Sequence, residues 1–328
     1  MPQISSSPQW SAEQAPESYG FFLVPGFSML SFTSAMDPLR SANRLAGEAL
    51  YDWQVISADG GRVISSAGVE VVAHKAMAEV ERLANVLVIG GVDTHLFEDK
   101  AVFSWLRRLA RQGCRIGSLS TGSYVLARCG LLEGYRCTVH WENLAGFQEA
   151  FPELEVTAEL FEIDRSRLTC SGGTAALDLM LSIVALEHGR DLAIQVADQF
   201  FHERIRDSHD QQRMALRSRL GISHPKLLKV IGLMEENLEE PLPRSRLATR
   251  ADLSTRQLER LFRKYLGRTP TRYYLELRLY RARALLTQTA MSVLDVALAC
   301  GFVSASHFSK CYREFFHRTP REERRMPA

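Results

Sequence analysis

Ser120 stands where a catalytic nucleophile could stand. In "IGSLSTGSYVLA" (116–127) an apolar run ends at this serine, and small residues lead directly into a helical pattern. That arrangement is typical of a nucleophile elbow, although the first glycine of the G-x-S-x-G pattern is missing. A serine hydroxyl needs an oriented general base, and "VHWE" supplies His140 with Glu142 two residues away. The pattern leaves two interpretations open: a serine amidase or peptidase, and an elbow that only lines a pocket.

The elements that must position Ser120 follow an α/β pattern. Apolar runs predict buried parallel strands and the stretches between them predict helices, which together indicate a doubly wound, flavodoxin-like sheet. Ligands bind such sheets at the carboxyl ends of the strands. We therefore expect residues 25–31, residues 90–94 and Ser120 to surround one crevice. The predicted strands are 19–25, 53–58, 85–91 and 114–119, and the predicted helices are 34–47, 99–113, 121–134 and 174–189.

The residues around this crevice suit a small zwitterion. Backbone amides that would hold an oxyanion in an enzyme could hold a ligand carboxylate. Aromatic rings could face a quaternary ammonium, and an acidic side chain could add negative charge. The rings, including Phe32, and the imidazole of His140 also fit plain core positions. The candidate ligand-binding residues are Phe27, Ser31, Asp93, Ser120, His140, Trp141 and Glu142 by their side chains, and Gly90, Gly91 and Thr121 by their amides.

The C-terminal third is basic, helical and internally repeated. Residues 224–328 hold 20 Lys and Arg against 11 Asp and Glu, a formal charge of +9, whereas the preceding residues hold 20 against 27, or −7. "LATRADLSTRQLERLFRKYLGRTP" (247–270) aligns with "ALACGFVSASHFSKCYREFFHRTP" (297–320), in which Val303 is one extra residue. Each copy predicts a short helix, a tight turn, a serine N-cap and a second helix with one apolar and one basic face. The predicted helices here are 225–238, 244–250, 254–265, 271–287, 293–300 and 304–316.

These repeats fit two helix-turn-helix units, and two packed helical hairpins with no DNA role are the alternative. The longer strings decide between them. "LSTRQLERLFRKYLGRTPTRYYLELRLYRARALL" and "SVLDVALACGFVSASHFSKCYREFFHRTPREER" closely resemble the DNA-binding domain of AraC/XylS-type transcription regulators, over about the last 90 residues. The resemblance implies two helices that read successive major grooves of a promoter.

The resemblance also assigns the DNA contacts. Base-reading residues lie toward the start of each second helix, and phosphate contacts lie further along it. Glu259 departs from a basic surface and could accept from a cytosine, whereas the small Ala305 and Ser306 discriminate bases weakly. By this resemblance the base-reading residues are Arg256, Glu259, Arg260, Ala305, Ser306, Ser309 and Lys310, the phosphate contacts are Arg263 and Arg313, and Ser254, Thr255 and Ser304 complete the DNA-binding set.

The α/β part resembles PfpI-type domains of the class I glutamine amidotransferase-like superfamily. The matching segments are "LVPGFSMLSFTSAMDPLRSANRL" (23–45), "VLVIGG" (86–91), "SLSTGSYVLARCGLLEGYRCTVHW" (118–141) and "SGGTAALDLML" (171–181). The enzymes of this superfamily carry a cysteine at the position of Ser120, an acidic residue at the position of Ser31 and a histidine at the position of His140. Two of these three groups are lost, so we expect no catalytic residue, no metal and no cofactor. The serine hydrolase stays open as the alternative.

Together the two parts resemble the GlxA-like branch of AraC regulators, and within it regulators of betaine, carnitine and arginine use. This implies a regulator, more an activator than a repressor, that senses a small zwitterionic nitrogen metabolite, binds promoter half-sites as a homodimer and contacts RNA polymerase. A nucleoid-type binder with a vestigial pocket is a further alternative. The expected domains are a disordered tail (1–17), an amidotransferase-like sensor (18–190), a helical linker or dimerisation region (191–223) and the DNA-binding domain (224–328).

Two compositional features predict a cytoplasmic location. No apolar run approaches the ~20 residues of a membrane span, which argues against a membrane partner. The six cysteines form no metal-binding spacing, and their apolar neighbours predict reduced, mostly buried thiols.

Overall fold

The computed structural model describes residues 15–325, in two compact units with the boundary between Gln212 and Arg213. Most of the expected disordered tail lies outside the described residues, and its last residue, Glu17, begins the first strand. Among the described residues, no helix combines the length and the apolar content that a membrane crossing needs. Five of the six cysteines are buried, Cys311 is half-buried, and all six are free thiols, as predicted.

The first unit alternates strands and helices, as the apolar runs predict. Its strands are β1 (Glu17–Leu23), β2 (Tyr51–Ser57), β3 (Arg62–Ile64), β4 (Glu70–Val72), β5 (Lys75–Ala76), β6 (Asn85–Ile89), β7 (Arg115–Leu119), β8 (Arg136–Cys137), β9 (Glu155–Val156), β10 (Phe161–Asp164) and β11 (Arg167–Cys170). Its helices are α1 (Met29–Ala46), α2 (Lys100–Arg111), α3 (Ser123–Arg128), α4 (Leu144–Ala150), α5 (Ala175–His188) and α6 (Arg190–Gln199).

Seven strands form one sheet in the order β10-β11-β7-β6-β1-β2-β5. All neighbouring pairs are parallel except β10 with β11. The chain winds from β1 to β2 on one side and places β6 on the other side of β1, so the winding direction reverses there. This is the predicted doubly wound, flavodoxin-like sheet, and such folds bind ligands at the reversal, beyond the carboxyl ends of the strands.

Both faces of the sheet are buried, which is why its central strands read as continuous apolar runs. Phe21 and Leu23 of β1 pack into the core under α1, α5 and α6, whereas Phe22 and the following Val24 pack into the core under α2 and α3. Two short strand pairs, β3–β4 and β8–β9, lie outside the main sheet. Neither pair is predicted from the sequence, because strands of two or three residues show no measurable periodicity.

Three predicted helices of this unit have different bounds. The first begins at Met29, capped by the hydroxyl of Ser28, and it contains Pro38 in its interior. The elbow helix ends at Arg128. The helical region predicted over 191–223 is wrong in its middle: α6 ends at Gln199, and residues 200–215 contain no helix.

The second unit is helical throughout its regular structure. Its helices are α7 (Leu216–Leu220), α8 (Pro225–Glu236), α9 (Arg244–Arg250), α10 (Thr255–Leu266), α11 (Pro270–Gln288), α12 (Val293–Ala299), α13 (Ala305–Phe316) and α14 (Pro320–Arg325). They confirm the predicted spans to within two residues, and α14 is an addition. Helix α11 connects the two repeated helix pairs.

The two repeats share their backbone devices. Ser254 and Ser304 cap α10 and α13 by accepting an amide hydrogen three residues on, which confirms both predicted N-caps. Asp252 and Gly301 take positive φ (52° and 72°) in equivalent turns. In each copy the Arg-Thr-Pro motif follows the second helix and its proline begins the next helix.

Candidate functional site

Ser120 lies at the predicted crevice, in a strained elbow. It follows β7 directly, with φ +60°, a left-handed conformation that costs a residue with a side chain on the order of 1 kcal/mol. A 3₁₀ turn, Ser120–Gly122, then leads into α3. The turn packs directly on β6, because a Cβ on Gly122 would lie 2.2 Å from the carbonyl oxygen of Val88. The close approach holds the elbow in place.

The loops after β1, β6 and β7 converge as the sequence predicts. The hydroxyl of Thr121 donates to the carbonyl of Gly91 (2.6 Å), and the amide of Ser28 donates to the carbonyl of Gly90 (2.9 Å). One expectation fails: the amide of Gly90 donates to the carbonyl of Leu119 and that of Gly91 donates to the hydroxyl of Thr94. Neither glycine therefore has an amide left for a ligand, and their contribution is close backbone packing.

Ser31 and Ser120 meet at the loop of Gly172 and Gly173, which was not among the predicted site residues. The Ser31 hydroxyl is fully buried, accepts from the amide of Gly173 (2.7 Å) and donates to the hydroxyl of Ser28 (2.9 Å). A Cβ on Gly172 would lie 2.7 Å from the Cβ of Ser120 and 2.8 Å from the Ser31 hydroxyl. The available signal was the "SGG" before α5, since glycines at positive φ commonly let backbones approach closely.

His140 lies beside the elbow with a partner of the wrong polarity for a catalytic triad. Its amide donates to the carbonyl of Ser120 (3.4 Å). Its Nδ1 accepts from the amide of Glu142 (3.4 Å) and lies 3.8 Å from the Glu142 carboxylate. Burial lowers the pKa of His140, and the charge of Glu142 opposes that shift only in part. An Nδ1 that accepts a hydrogen bond leaves the ring proton on Nε2, which then cannot accept the proton of a serine.

The aromatic candidates divide between core and surface. Phe27 and Phe32 are buried in one hydrophobic cluster with their rings edge to face, which favours the core alternative for both. Trp141 is 38% exposed, and its ring lies against the ring of His140. Asp93 is exposed on the loop after β6. No group of three or more potential metal ligands occurs among residues 15–325.

The second unit presents a basic face on α10. Arg256, Arg260 and Arg263 are spaced four and three residues apart and are all exposed, whereas Leu258 and Phe262 are buried on the other side. This is the arrangement of a helix that packs with one face and offers the other to a groove.

Helix α13 repeats this arrangement with weaker charge. Ser306, Lys310 and Arg313 take the corresponding exposed positions, and Phe308 and Tyr312 are buried. A notch beside the start of α13 is also lined by Arg321 and Arg324 of α14, which were not among the predicted DNA contacts.

Glu259 has a partner within the first helix pair. Its carboxylate pairs with Arg244 of α9 at 2.6 Å, and both side chains line a notch with Thr255 and Arg256. In the second pair the equivalent positions hold Val293 and Ser309, so this ion pair belongs to the first repeat only. The acidic side chain is thus locally neutralised on an otherwise basic face.

Comparison with known proteins agrees with both units. Residues 20–186 match the DJ-1/PfpI family and residues 247–326 match a helix-turn-helix domain family. The chain is 49% identical over 309 residues to the HTH-type transcriptional regulator GbdR of Pseudomonas aeruginosa, which covers 94% of this chain and 84% of GbdR. The chain belongs to the GlxA-like AraC-type transcription regulators.

Two further relatives support this membership. The HTH-type transcriptional regulator GlxA of Rhizobium meliloti is 40% identical over 307 residues, covering 93% of this chain and 95% of GlxA. The crystal structure of an AraC family transcriptional regulator from Pseudomonas putida superposes with a TM-score of 0.52 at 34% identity, covering 56% of this chain and all of the other. The protein is therefore a DNA-binding transcription regulator with an AraC-type helix-turn-helix domain and a DJ-1/PfpI, amidotransferase-like domain.

Proposed function

We propose that the α/β unit is a catalytically inactive pocket that senses a small zwitterionic nitrogen metabolite. One observation carries the proposal: the elbow keeps its strained φ of +60° at Ser120, while the thiol and the carboxylate that chemistry would need are replaced by Ser120 and Ser31. Strained backbone persists where the surroundings over-determine it, which is common at binding sites. A preserved elbow without its nucleophile fits binding better than turnover.

The crevice offers complementary groups for such a ligand. The hydroxyl of Ser120 can donate to a carboxylate, together with an amide at the start of the turn that follows it. Trp141 can face a quaternary ammonium, and Glu142 can add negative charge beside it. Betaines, carnitine and amino acids have this pairing of a carboxylate with a nitrogen cation. The proposed ligand chemistry thus combines the donors at Ser120 with the aromatic and acidic side chains of Trp141 and Glu142.

A thermal-shift screen tests the ligand, with Ser120 variants as its internal check. Glycine betaine, L-carnitine and L-arginine are offered to the full chain, and we expect at least one to raise the melting temperature in a concentration-dependent way. Ser120→Gly should raise the ligand-free stability by about 1 kcal/mol, because glycine relieves the positive φ, and should weaken ligand binding because the hydroxyl is lost.

Ser120→Ala is the matched control, since it removes the hydroxyl but keeps the strained φ. It should weaken binding without the gain in stability. Equal ligand shifts in the wild type and in both variants would place the ligand elsewhere.

A serine amidase or peptidase is the second candidate, and the proximity of His140 to both Ser120 and Glu142 is the observation that favours it. Turnover of small amides by the full chain, abolished in Ser120→Ala, would establish it. The hydrogen bond from the Glu142 amide to Nδ1 argues against it, because it favours the tautomer with the proton on Nε2, the nitrogen that must accept the serine proton in a triad.

For the second unit we propose that α10 and α13 read promoter half-sites. Arg256, Glu259 and Arg260 would contact bases from α10, and Arg263 would contact phosphate. In α13 the base contacts would come from Ala305, Ser306, Ser309 and Lys310, and the phosphate contact from Arg313. Ser254, Thr255 and Ser304 would contact DNA at the helix starts. Because α13 carries smaller side chains at its start, most of the base discrimination should come from α10.

The assignment of roles predicts two different losses. Arg260→Ala should cost about 1–3 kcal/mol at one base position and relax the preference there. Arg313→Ala should weaken binding by a similar factor on every sequence and reduce the salt slope by about 1. The measurement is affinity for a panel of operator variants at several salt concentrations. Uniform loss from both substitutions would contradict the assignment, and equal affinity for all DNA in the wild type would favour a nucleoid-type binder.

We further propose an activator that acts in the cytoplasm as a homodimer and contacts RNA polymerase at promoters. For the dimer, α5 and α6 border a cavity of about 850 Å³ that carries both signs of charge, including Arg190 and Asp198. Leu186, Ile194 and Phe201 are exposed along the same region, Phe201 by 93%. A two-fold interface needs a self-complementary patch, and exposed apolar side chains beside both signs of charge support one here. Sedimentation of the full chain tests the dimer.

A further inference from the structure

The segment that leaves the first unit, residues 200–212, is fastened to the α/β unit along its length. We call it the exit segment. The carbonyl of Ser208 accepts from the amide of Leu160 (2.8 Å), and Gln211 forms a β-bridge with Glu159. The imidazole of His209 lies 3.2 Å from the Glu159 carboxylate. The exit segment therefore ends hydrogen-bonded to residues 159 and 160, between β9 and β10, immediately before Arg213 begins the second unit.

Gln212, the last residue of the exit segment, makes the densest of these contacts. Its side-chain amide nitrogen lies within hydrogen-bond distance of the Thr138 hydroxyl (3.0 Å), the Val139 carbonyl (3.1 Å) and the Glu159 carbonyl (2.8 Å). Its side-chain oxygen is enclosed and accepts no hydrogen bond from the described residues. The Gln212 side chain thus joins the end of the exit segment to residues 138 and 139.

The same short stretch is bound to the elbow from its other side. The carbonyl of Thr138 accepts from the hydroxyl of Ser123 in α3 (2.7 Å), and the hydroxyl of Ser123 meets that of Ser118 in β7 (2.9 Å). Two residues further on, the amide of His140 donates to the carbonyl of Ser120. Residues 138–140 therefore lie between the candidate ligand site and Gln212, and each end is held by hydrogen bonds.

We propose that Gln212 is a positioning residue that couples the elbow crevice to the exit segment through residues 138–140. This inference rests on the proposed sensing function of the same crevice. A ligand that contacts Ser120 or His140 displaces residues 138–140. The displacement changes the strength of the hydrogen bonds by which Gln212 holds the exit segment. Because linkage is reciprocal, the state of Gln212 must also change the elbow. The exit segment continues directly into the DNA-binding unit. Its release from the α/β unit, or its docking there, is therefore transmitted along the chain to the DNA-binding unit.

Hydrogen exchange of the full chain without ligand tests the coupling. Gln212→Ala removes the donor, and Gln212→Glu keeps the size of the side chain but cannot donate. Both should accelerate amide exchange about ten-fold in the exit segment and also at residues 138–140 and 120–123. Gln211→Ala is the matched control, because the exposed Gln211 contributes its backbone to the bridge and should exchange like the wild type. Acceleration confined to the exit segment, or an unchanged Gln212→Glu, would overturn the proposal.

Two further arms separate this inference from the proposed ligand. Ser123→Ala cuts the elbow side of the connection and should accelerate exchange in the exit segment, and no change there would count against the coupling. Glycine betaine, L-carnitine and L-arginine are then added at saturating concentration. A probe that alters exchange in the exit segment of the wild type but not of Gln212→Ala supports both proposals. If none alters the wild type, the proposed ligand class fails, and the ligand-free arms still decide the role of Gln212.

Discussion

Replacing Gly91 by alanine is expected to destabilise the α/β unit by on the order of 4 kcal/mol or more. A Cβ at this position would lie 1.6 Å from the carbonyl oxygen of Gly26, 2.5 Å from its carbonyl carbon and 2.8 Å from the Cα of Phe27. All three atoms belong to the backbone, so no side-chain rotation can relieve the overlap. The loop after β1 must move away from the loop after β6, and the crevice opens. Urea unfolding followed by circular dichroism measures the loss.

Gly47→Ala is the matched control for this prediction. Gly47 caps α1 at φ +75° and has open space around its Cβ position, so alanine there carries only the conformational cost, about 1 kcal/mol. A Gly91→Ala protein as stable as Gly47→Ala would mean that the two loops do not touch as described. The difference between the two variants isolates the close approach that builds the crevice.

The elements that the sequence predicted well are those whose burial is complete or whose caps are chemically distinct. The central strands are buried on both faces, so their apolar runs are uninterrupted, and β6 and β7 were located to within two residues. The serines before α10 and α13 indicate helix starts, because a serine side chain at the N-cap accepts a hydrogen bond from a backbone amide of the first turn. Such signals are local, and they survive any tertiary arrangement.

The location of the crevice was predictable from the sequence, but which of its backbone amides are free to donate to a ligand was not. Parallel strands must bring their carboxyl ends together, which located Ser120 and the glycines of residues 90–91 correctly. Whether a given amide is free depends on the loop that reaches it, and the Thr94 hydroxyl that occupies the Gly91 amide lies in a 3₁₀ turn with no periodic signal. The place of Gly172 at the site was not predictable either, because its proximity to Ser120 arises from the packing of two loops that are distant in sequence.

The exit segment was predicted as helix because its charged and apolar residues continue the pattern of α6. What ends the helix is a tertiary contact: Phe201 turns to φ +52°, and the chain then runs back so that His202 and Arg206 reach Asp178 in the first turn of α5. A propensity pattern contains no information about a buried carboxylate more than twenty residues away. The same contact makes Asp178 the second site where a single substitution should have a large effect.

Asp178→Ala should destabilise the α/β unit by about 3–5 kcal/mol, because it leaves two cationic or polar partners without their buried acceptor. Asp178 is fully buried, and its carboxylate accepts from the imidazole of His202 (2.7 Å), from the amide of Arg206 (2.7 Å) and from the Arg206 guanidinium (2.8 and 2.6 Å). Asp178→Asn keeps the shape of the side chain but removes its charge, and it should lose less stability than Asp178→Ala. Asp37→Ala breaks an exposed pair with Arg40 and should change the free energy of unfolding by under about 1 kcal/mol.

The functional consequence separates Asp178 from an ordinary core residue. Since Asp178 fixes the start of the exit segment and Gln212 fixes its end, Asp178→Asn in a protein that still folds should release residues 202–208 first. We expect faster hydrogen exchange there, together with a smaller effect of ligand on DNA affinity than in the wild type. An Asp178→Asn protein with normal exchange in residues 202–208 would show that the backbone bonds of the exit segment suffice. The exit segment would then be held by the backbone bonds of Ser208 and Gln211 together with the Gln212 side chain, and Asp178 would have no part in the coupling to the elbow.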